Sequence, residues 1–128
     1  MIRTLFQYLI KQIRSFMPAF RGMKLLAMDH KFYFHLPVGL GVFAASWALG
    51  IPREEWLWVV SAVFAVWMSE GFNTAIERTV DLITPVFHEP AGRIKDMAAA
   101  VVVMAVLYAG IVGCLVLIPR LWQWIVEF

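Results

Sequence analysis

From Met97 to Ile118 the chain runs without one Asp, Glu, Lys, Arg or His. A helical stretch of that length and character spans the roughly 30 Å hydrocarbon layer of a bilayer. No water reaches the backbone inside that layer, so a segment crossing there closes its own hydrogen bonds as a helix. Pro119-Arg120 is expected to end it. Composition extends this reading to the whole chain, because 62% of the residues are hydrophobic and only 16% are charged. Soluble domains carry about a quarter charged residues. The expected fold class is all-α and integral to a membrane, with 128 residues forming one domain.

Two further runs complete the pattern. Phe32 to Ile51 contains no Asp, Glu, Lys or Arg and one histidine, His35. After the polar turn Gly50-Ile51-Pro52-Arg53-Glu54-Glu55, a second run starts near Glu54. It reaches full length only by including Glu70 and Asn73, and it ends near Ile83, before the break at Thr84-Pro85. The expected transmembrane helices are therefore 32–51, 54–83 and 93–118, with a short loop from Val86 to Gly92. Ahead of them, Ile2, Leu5, Phe6, Leu9, Ile13 and Phe16 recur every three or four residues, with Arg3, Gln7, Lys11 and Arg14 on other faces. That pattern suits an amphipathic helix lying in the membrane interface. Pro18 can bend or end it, and a second short surface helix is expected over about 19–30. Residues 1–30 are thus read as interfacial. No cleavable leader is expected, since Arg3, Lys11 and Arg14 interrupt the first apolar stretch. The lone cysteine, Cys114, lies in an apolar run and has no partner for an intrachain disulfide.

Six of the eleven Lys and Arg residues precede the first span, and the 84–96 loop adds Arg93 and Lys95. The positive-inside rule places the N-terminus and that loop in the cytoplasm. Trp47, Trp56, Trp58, Trp122 and Trp124 then form an aromatic belt at the opposite face.

The second span carries the chemistry. Glu70, Asn73, Glu77 and Asp81 fall at i, i+3, i+7 and i+11, within about 80° of one another on a helix. Ionisable residues at membrane depth are functional candidates by default. Like charges stacked on one face repel, and a divalent cation relieves them. The alternative is a structural network in which Glu70, Glu77 and Asp81 pair with Arg78, Arg93 or Lys95. Phosphoryl transfer needs carboxylates for a metal ion, a base for the incoming hydroxyl and cations for phosphate oxygens. Lys95, Asp96 and His88 lie close in sequence to supply the last part. No Gly-x-x-x-x-Gly-Lys-Ser/Thr loop or glycine-rich kinase loop is present, which excludes a soluble-type nucleotide fold.

Glu70-x-x-Asn73-Thr-Ala-Ile-Glu77-x-x-Val-Asp81, then His88, then Gly92-Arg93-x-Lys95-Asp96, resembles the signature of the small bacterial lipid kinases. These are the prokaryotic diacylglycerol kinase and undecaprenol kinase family, and the likeness runs from about Ser15 to Pro119. The resemblance implies a homotrimer of three-span subunits in the bacterial cytoplasmic membrane, with active sites shared between neighbouring subunits. It implies transfer of the γ-phosphate of ATP to a membrane lipid alcohol, with Mg²⁺ as cofactor and no nucleic-acid partner. Carried over by position, Glu70 resembles the catalytic base at the lipid hydroxyl. Glu77 resembles a metal ligand, with Asp29 at the second acidic position, and both border ATP. Lys95, Asp96 and His88 match nucleotide-contacting positions, and Lys11 and Arg14 are candidates for phosphate contacts. Asn73 and Asp81 match supporting polar positions.

The chain departs from the family pattern at three points, one of them the segment from Gly22 to Asp29, which is one residue shorter than usual. Asp29 stands where the family usually has Glu, and Lys31 where it often has Asn. Ser15-Phe16-x-x-Ala19-x-x-Gly22, His35 and Thr84-Pro85 look more like the undecaprenol kinase branch, whereas the diacylglycerol kinase branch tends to have Glu at the position of His35. The expected activity is an undecaprenol kinase. The near alternative is a diacylglycerol kinase, and a more distant one is a non-catalytic scaffold or sensor of the same fold.

Overall fold

The structure is a computed structural model that describes residue 7 and residues 10–14, 16–86 and 88–127. Ile2, Arg3, Leu5, Phe6, Leu9 and Ser15, used above, lie outside the described residues. Residues 10–14 are helical, and α1 follows over Met17–Ala27. Then come α2 (Phe32–Ala48), α3 (Arg53–Ile83) and α4 (Glu89–Val126). The described residues contain no strand.

Pro18 falls in the first turn of α1, where its missing N–H has no helical partner to lose. It therefore starts this helix instead of breaking one. Between α2 and α3 the chain turns at Gly50, whose φ of +61° suits a residue without a Cβ. The Gly50 and Ile51 amides donate to the carbonyls of Trp47 and Ser46, closing the end of α2. Glu54 and Glu55 stand in the first turn of α3, where the positive end of the helix dipole favours them.

The third long helix differs from expectation at both ends. It begins at Glu89, four residues ahead of the expected start at 93, with Pro90 in its first turn. It also runs straight through Pro119 to Val126. Proline removes one backbone hydrogen bond and crowds the preceding turn, yet membrane helices tolerate it when neighbours and local adjustment satisfy the freed carbonyl. Arg120, one residue on, reaches Glu55 at 3.2 Å and ties this part of α4 to the start of α3.

α3 and α4 pack along each other most extensively, α2 lies against α3, and α1 touches α2. Near the Gly50 turn, Ile51, Val59, Ala62, Val112 and Val116 form the buried core. A hydrogen bond of 2.8 Å between the hydroxyls of Ser61 and Tyr108 crosses the same helix pair. Helices α3 and α4 are long and apolar enough to cross a membrane, and α2 is a shorter apolar helix of 17 residues. Only 6% of the most apolar window of α4 is buried. A bare apolar surface of that kind belongs against lipid or another membrane helix, not in the core of a water-soluble protein.

One close approach sets the position of α2. A Cβ built on Gly39 would meet the Trp67 indole at 2.5 Å and Val63 Cγ1 at 2.8 Å. That indole donates its N–H to the His35 carbonyl at 2.9 Å and packs edge-on against Phe43 and Phe64. Gly39→Ala should therefore push Trp67 away from α2 and destabilise the fold by about 1–3 kcal/mol, as overpacking does. Thermal unfolding in detergent, followed by tryptophan fluorescence, checks this. An unchanged melting temperature and spectrum would contradict the packing described.

Candidate active site

The buried residues of α3 change character along the helix. Val59, Ala62 and Val63 near its start are apolar, whereas Ser69, Glu70, Asn73 and Thr74 are polar. The same helix thus builds the core at the Gly50 end and a polar site towards the other. Solvent access then rises along the stripe: Glu70 and Asn73 are each 4% exposed, the Glu77 side chain 28% and that of Asp81 63%.

Glu70 lies at the deep end of this gradient. Among the described residues nothing hydrogen-bonds its carboxylate. It opens on a cavity of about 330 Å³ shared with His35 and Asn73, whose far wall is Ala99, Val102, Val103, Val106 and Leu107 of α4. Asn73 Oδ1 is buried without a hydrogen-bond partner, as is Thr74 Oγ1 beside it. Buried polar groups left this way cost free energy until a ligand or water reaches them. The arrangement can accept a proton from a hydroxyl entering along an apolar wall.

At the shallow end, ion pairs take over. Lys31 Nζ meets Glu77 Oε2 at 2.6 Å, Arg78 meets Asp29 Oδ2 at 2.8 Å, and Lys95 Nζ meets Asp81 Oδ1 at 2.9 Å. Asn73 Nδ2 makes a longer contact of 3.4 Å with Glu77 Oε1. Asp29 sits in the turn between α1 and α2, where its Oδ1 accepts the Lys31 amide hydrogen at 3.1 Å. A short acid reaches the amide two residues on in this way. Burial pushes the Asp29 carboxyl up, but the Lys31 amide and the Arg78 guanidinium outweigh it and hold the group below its ordinary value of 3.8.

Hard divalent ions such as Mg²⁺ take oxygen ligands, often one or two carboxylates completed by substrate phosphates. Glu77 suits that donor set, whereas Asn73, one helical turn away, turns its Nδ2 towards Glu77 Oε1 and leaves its Oδ1 without a partner. No group of three or more His, Cys, Asp or Glu gathers among the described residues, so any such site is a sparse one. Both Asp29 oxygens are already engaged.

The structure draws together Glu70 and Asn73, and it places Glu77, Asp29, Asp81 and Lys95 at the same end of the helices. It does not bring in the rest. Lys11, Arg14, His88 and Asp96 are exposed, and their side chains have no ion pair or hydrogen bond among the described residues. His88 stands just ahead of α4 with extended backbone and leaves that helix without a side-chain cap. Of the expected structural pairings, Lys95–Asp81 is present, whereas Arg93 pairs with Glu89 and Glu70 pairs with nothing described. Sequence spacing missed the reach of Lys31 to Glu77 across 46 positions and of Arg78 to Asp29 across 49. The available signal was the alternation of charges at Asp29, Lys31, Glu77 and Arg78.

Because the Asp29 group is lowered, its contribution to stability is full above about pH 4 and is lost as pH falls through the lowered value. Asp29→Asn should thus lower the melting temperature near pH 6, with the gap to wild type closing below about pH 4. A gap that stays constant through the acid range would contradict the pairing.

The sequence model of the family described as prokaryotic diacylglycerol kinase matches residues 18–117. An undecaprenol kinase of Bacillus subtilis (strain 168) is 32% identical over 109 residues, covering 84% of this chain and 89% of that protein. A diacylglycerol kinase of Escherichia coli (strain K12) is 38% identical over 78 residues, covering 61% of this chain and 63% of that protein. Another diacylglycerol kinase, from Synechocystis, is 33% identical over 109 residues, covering 84% of this chain and 62% of that protein.

Proposed function

The chain belongs to the prokaryotic diacylglycerol kinase family, and we propose that it transfers the γ-phosphate of ATP to undecaprenol. Membership makes it a lipid alcohol phosphotransferase of a bacterial membrane. The observation that carries the mechanism is Glu70, a buried carboxylate without a described partner, facing a cavity with an apolar wall.

Glu70 takes the proton from the lipid hydroxyl as its oxygen bonds to the γ-phosphorus. The bond from that phosphorus to the oxygen bridging to ADP breaks, and ADP leaves with the electron pair. Asn73 and Thr74, buried beside the base, offer polar atoms to the entering alcohol. Glu77 would hold the ion that accompanies the nucleotide, with Asp29 as the second acidic ligand if Arg78 released it and Asn73 as a supporting polar neighbour. Mg²⁺ supplies neutralisation of charge on the phosphate oxygens when bound. Lys95 turns from Asp81 to the phosphates, with Asp96 and His88 bordering the nucleotide and Lys11 and Arg14 reaching it from the surface helix. Those last four side chains are exposed and unpaired among the described residues, which favours a site completed between subunits of a homotrimer. Nucleotide access at this end requires it to face the cytoplasm, together with the N-terminus, and the basic residues gathered there favour that orientation.

Undecaprenol is favoured by the Bacillus relative, whose match covers most of both chains, and by His35 in the cavity of Glu70. Diacylglycerol is the second reading, supported by the higher identity over the shorter match to the Escherichia coli enzyme.

Glu70→Gln should lower turnover by about 10²–10⁴-fold, the usual contribution of a general base. Stabilisation by Mg²⁺ with a non-hydrolysable ATP analogue should survive in the same variant. Near-normal turnover would remove Glu70 from its role. His35→Glu should shift preference towards diacylglycerol when both lipids are offered. An unchanged ratio of products would show that selection lies elsewhere.

A further inference from the structure

Lys31 is a charged residue of this end to which the proposed reaction gives no task. It stands just ahead of α2, and its ammonium lies 2.6 Å from Glu77 Oε2, with both side chains about a quarter exposed. The pair is thus partly withdrawn from solvent, where screening is weaker than at an open surface. Two other carboxylates at this end have a cation as well, Asp29 with Arg78 and Asp81 with Lys95. Each such pairing weakens the field with which these carboxylates could gather a free divalent ion. An ion approaching Glu77 meets an ammonium already on one oxygen and must displace it. A lysine can move in this way, because its charge sits at the end of a flexible stem.

We propose that Lys31 is a tethered cation that occupies the metal-binding carboxylate of Glu77 in the nucleotide-free protein. A divalent ion then enters together with nucleotide, whose phosphate oxygens receive the displaced ammonium. The inference rests on the reading of Glu77 as a metal ligand and adds to it the order in which cation and nucleotide arrive. A lysine here only to hold α2 against α3 would affect melting and leave metal affinity untouched.

The test is Mn²⁺ binding to the full-length protein in detergent, followed by electron paramagnetic resonance with and without a non-hydrolysable ATP analogue. Without analogue, Lys31→Gln should bind Mn²⁺ about five- to tenfold more tightly than wild type, the effect of removing one partly exposed competing charge. Lys31→Arg should keep the weak wild-type affinity, and adding Glu77→Gln to Lys31→Gln should abolish the gain. With analogue present, the advantage of Lys31→Gln should disappear, because the lysine now serves the phosphates. If Lys31→Gln stays within about twofold of wild type without analogue, while Glu77→Gln still weakens binding with it, the tether is wrong and the metal ligand stands. If Glu77→Gln leaves binding with analogue unchanged, both readings fall. A measurement on the wild type guards against a variant that does not fold. Mg²⁺ alone should leave its melting temperature unchanged and Mg²⁺ with analogue should raise it, whereas a large rise with Mg²⁺ alone overturns the proposal.

Discussion

Glu70 is 4% exposed on a helix long enough to cross a membrane and meets no hydrogen-bond donor among the described residues. Burying a polar group without a hydrogen-bond partner costs free energy. The packing of α3 offsets that cost from its other half, where Val59 and Ala62 sit against Val112 and Val116. Stability and chemistry thus occupy opposite ends of one helix. Strain or polarity concentrated in this way is common at functional sites, where a fold gives up stability for reactivity. Exposure rises in steps from Glu70 to Asp81, so the stripe runs from a buried carboxyl group to water.

Much of this arrangement is legible in the sequence because membranes simplify the problem. The bilayer forces spanning segments into helices, so the uncharged run at 97–118 and the polar turn at 50–55 locate elements directly. Helical periodicity likewise places Glu70, Asn73, Glu77 and Asp81 on one face before any coordinates are known. The boundaries were less legible. Pro119 reads as a stop, yet α4 continues to Val126 because a single missing hydrogen bond is tolerable in a long apolar helix. Phe32–Ala48 is shorter than its apolar run, since the chain already turns at Gly50.

The site was half legible for a different reason. Spacing reports neighbours along one helix and says nothing of which cation crosses from another. Lys31 looked like a substitution in the family pattern, and Arg78 like a partner for its own helix. In the structure both reach between elements, Lys31 from α2 to Glu77 and Arg78 from α3 to Asp29. Local charge signs were readable, but pairing depends on the docking of α2 against α3, which Gly39 and Trp67 determine.

The same division explains why acceptor and chemistry separate. A polyprenyl alcohol and a diacylglycerol each present one hydroxyl, so under the proposed mechanism a base at Glu70 would treat them alike. On the same proposal, discrimination would fall to His35 and to the apolar side chains of α4 that line the cavity. The most direct measurement is transfer of labelled γ-phosphate from ATP by the wild-type protein in mixed micelles, with undecaprenol and diacylglycerol in competition. Label on lipid, with undecaprenol preferred, is the expected result. No label on either lipid, from protein shown to be folded and supplied with Mg²⁺, would contradict the assignment of this site to phosphoryl transfer.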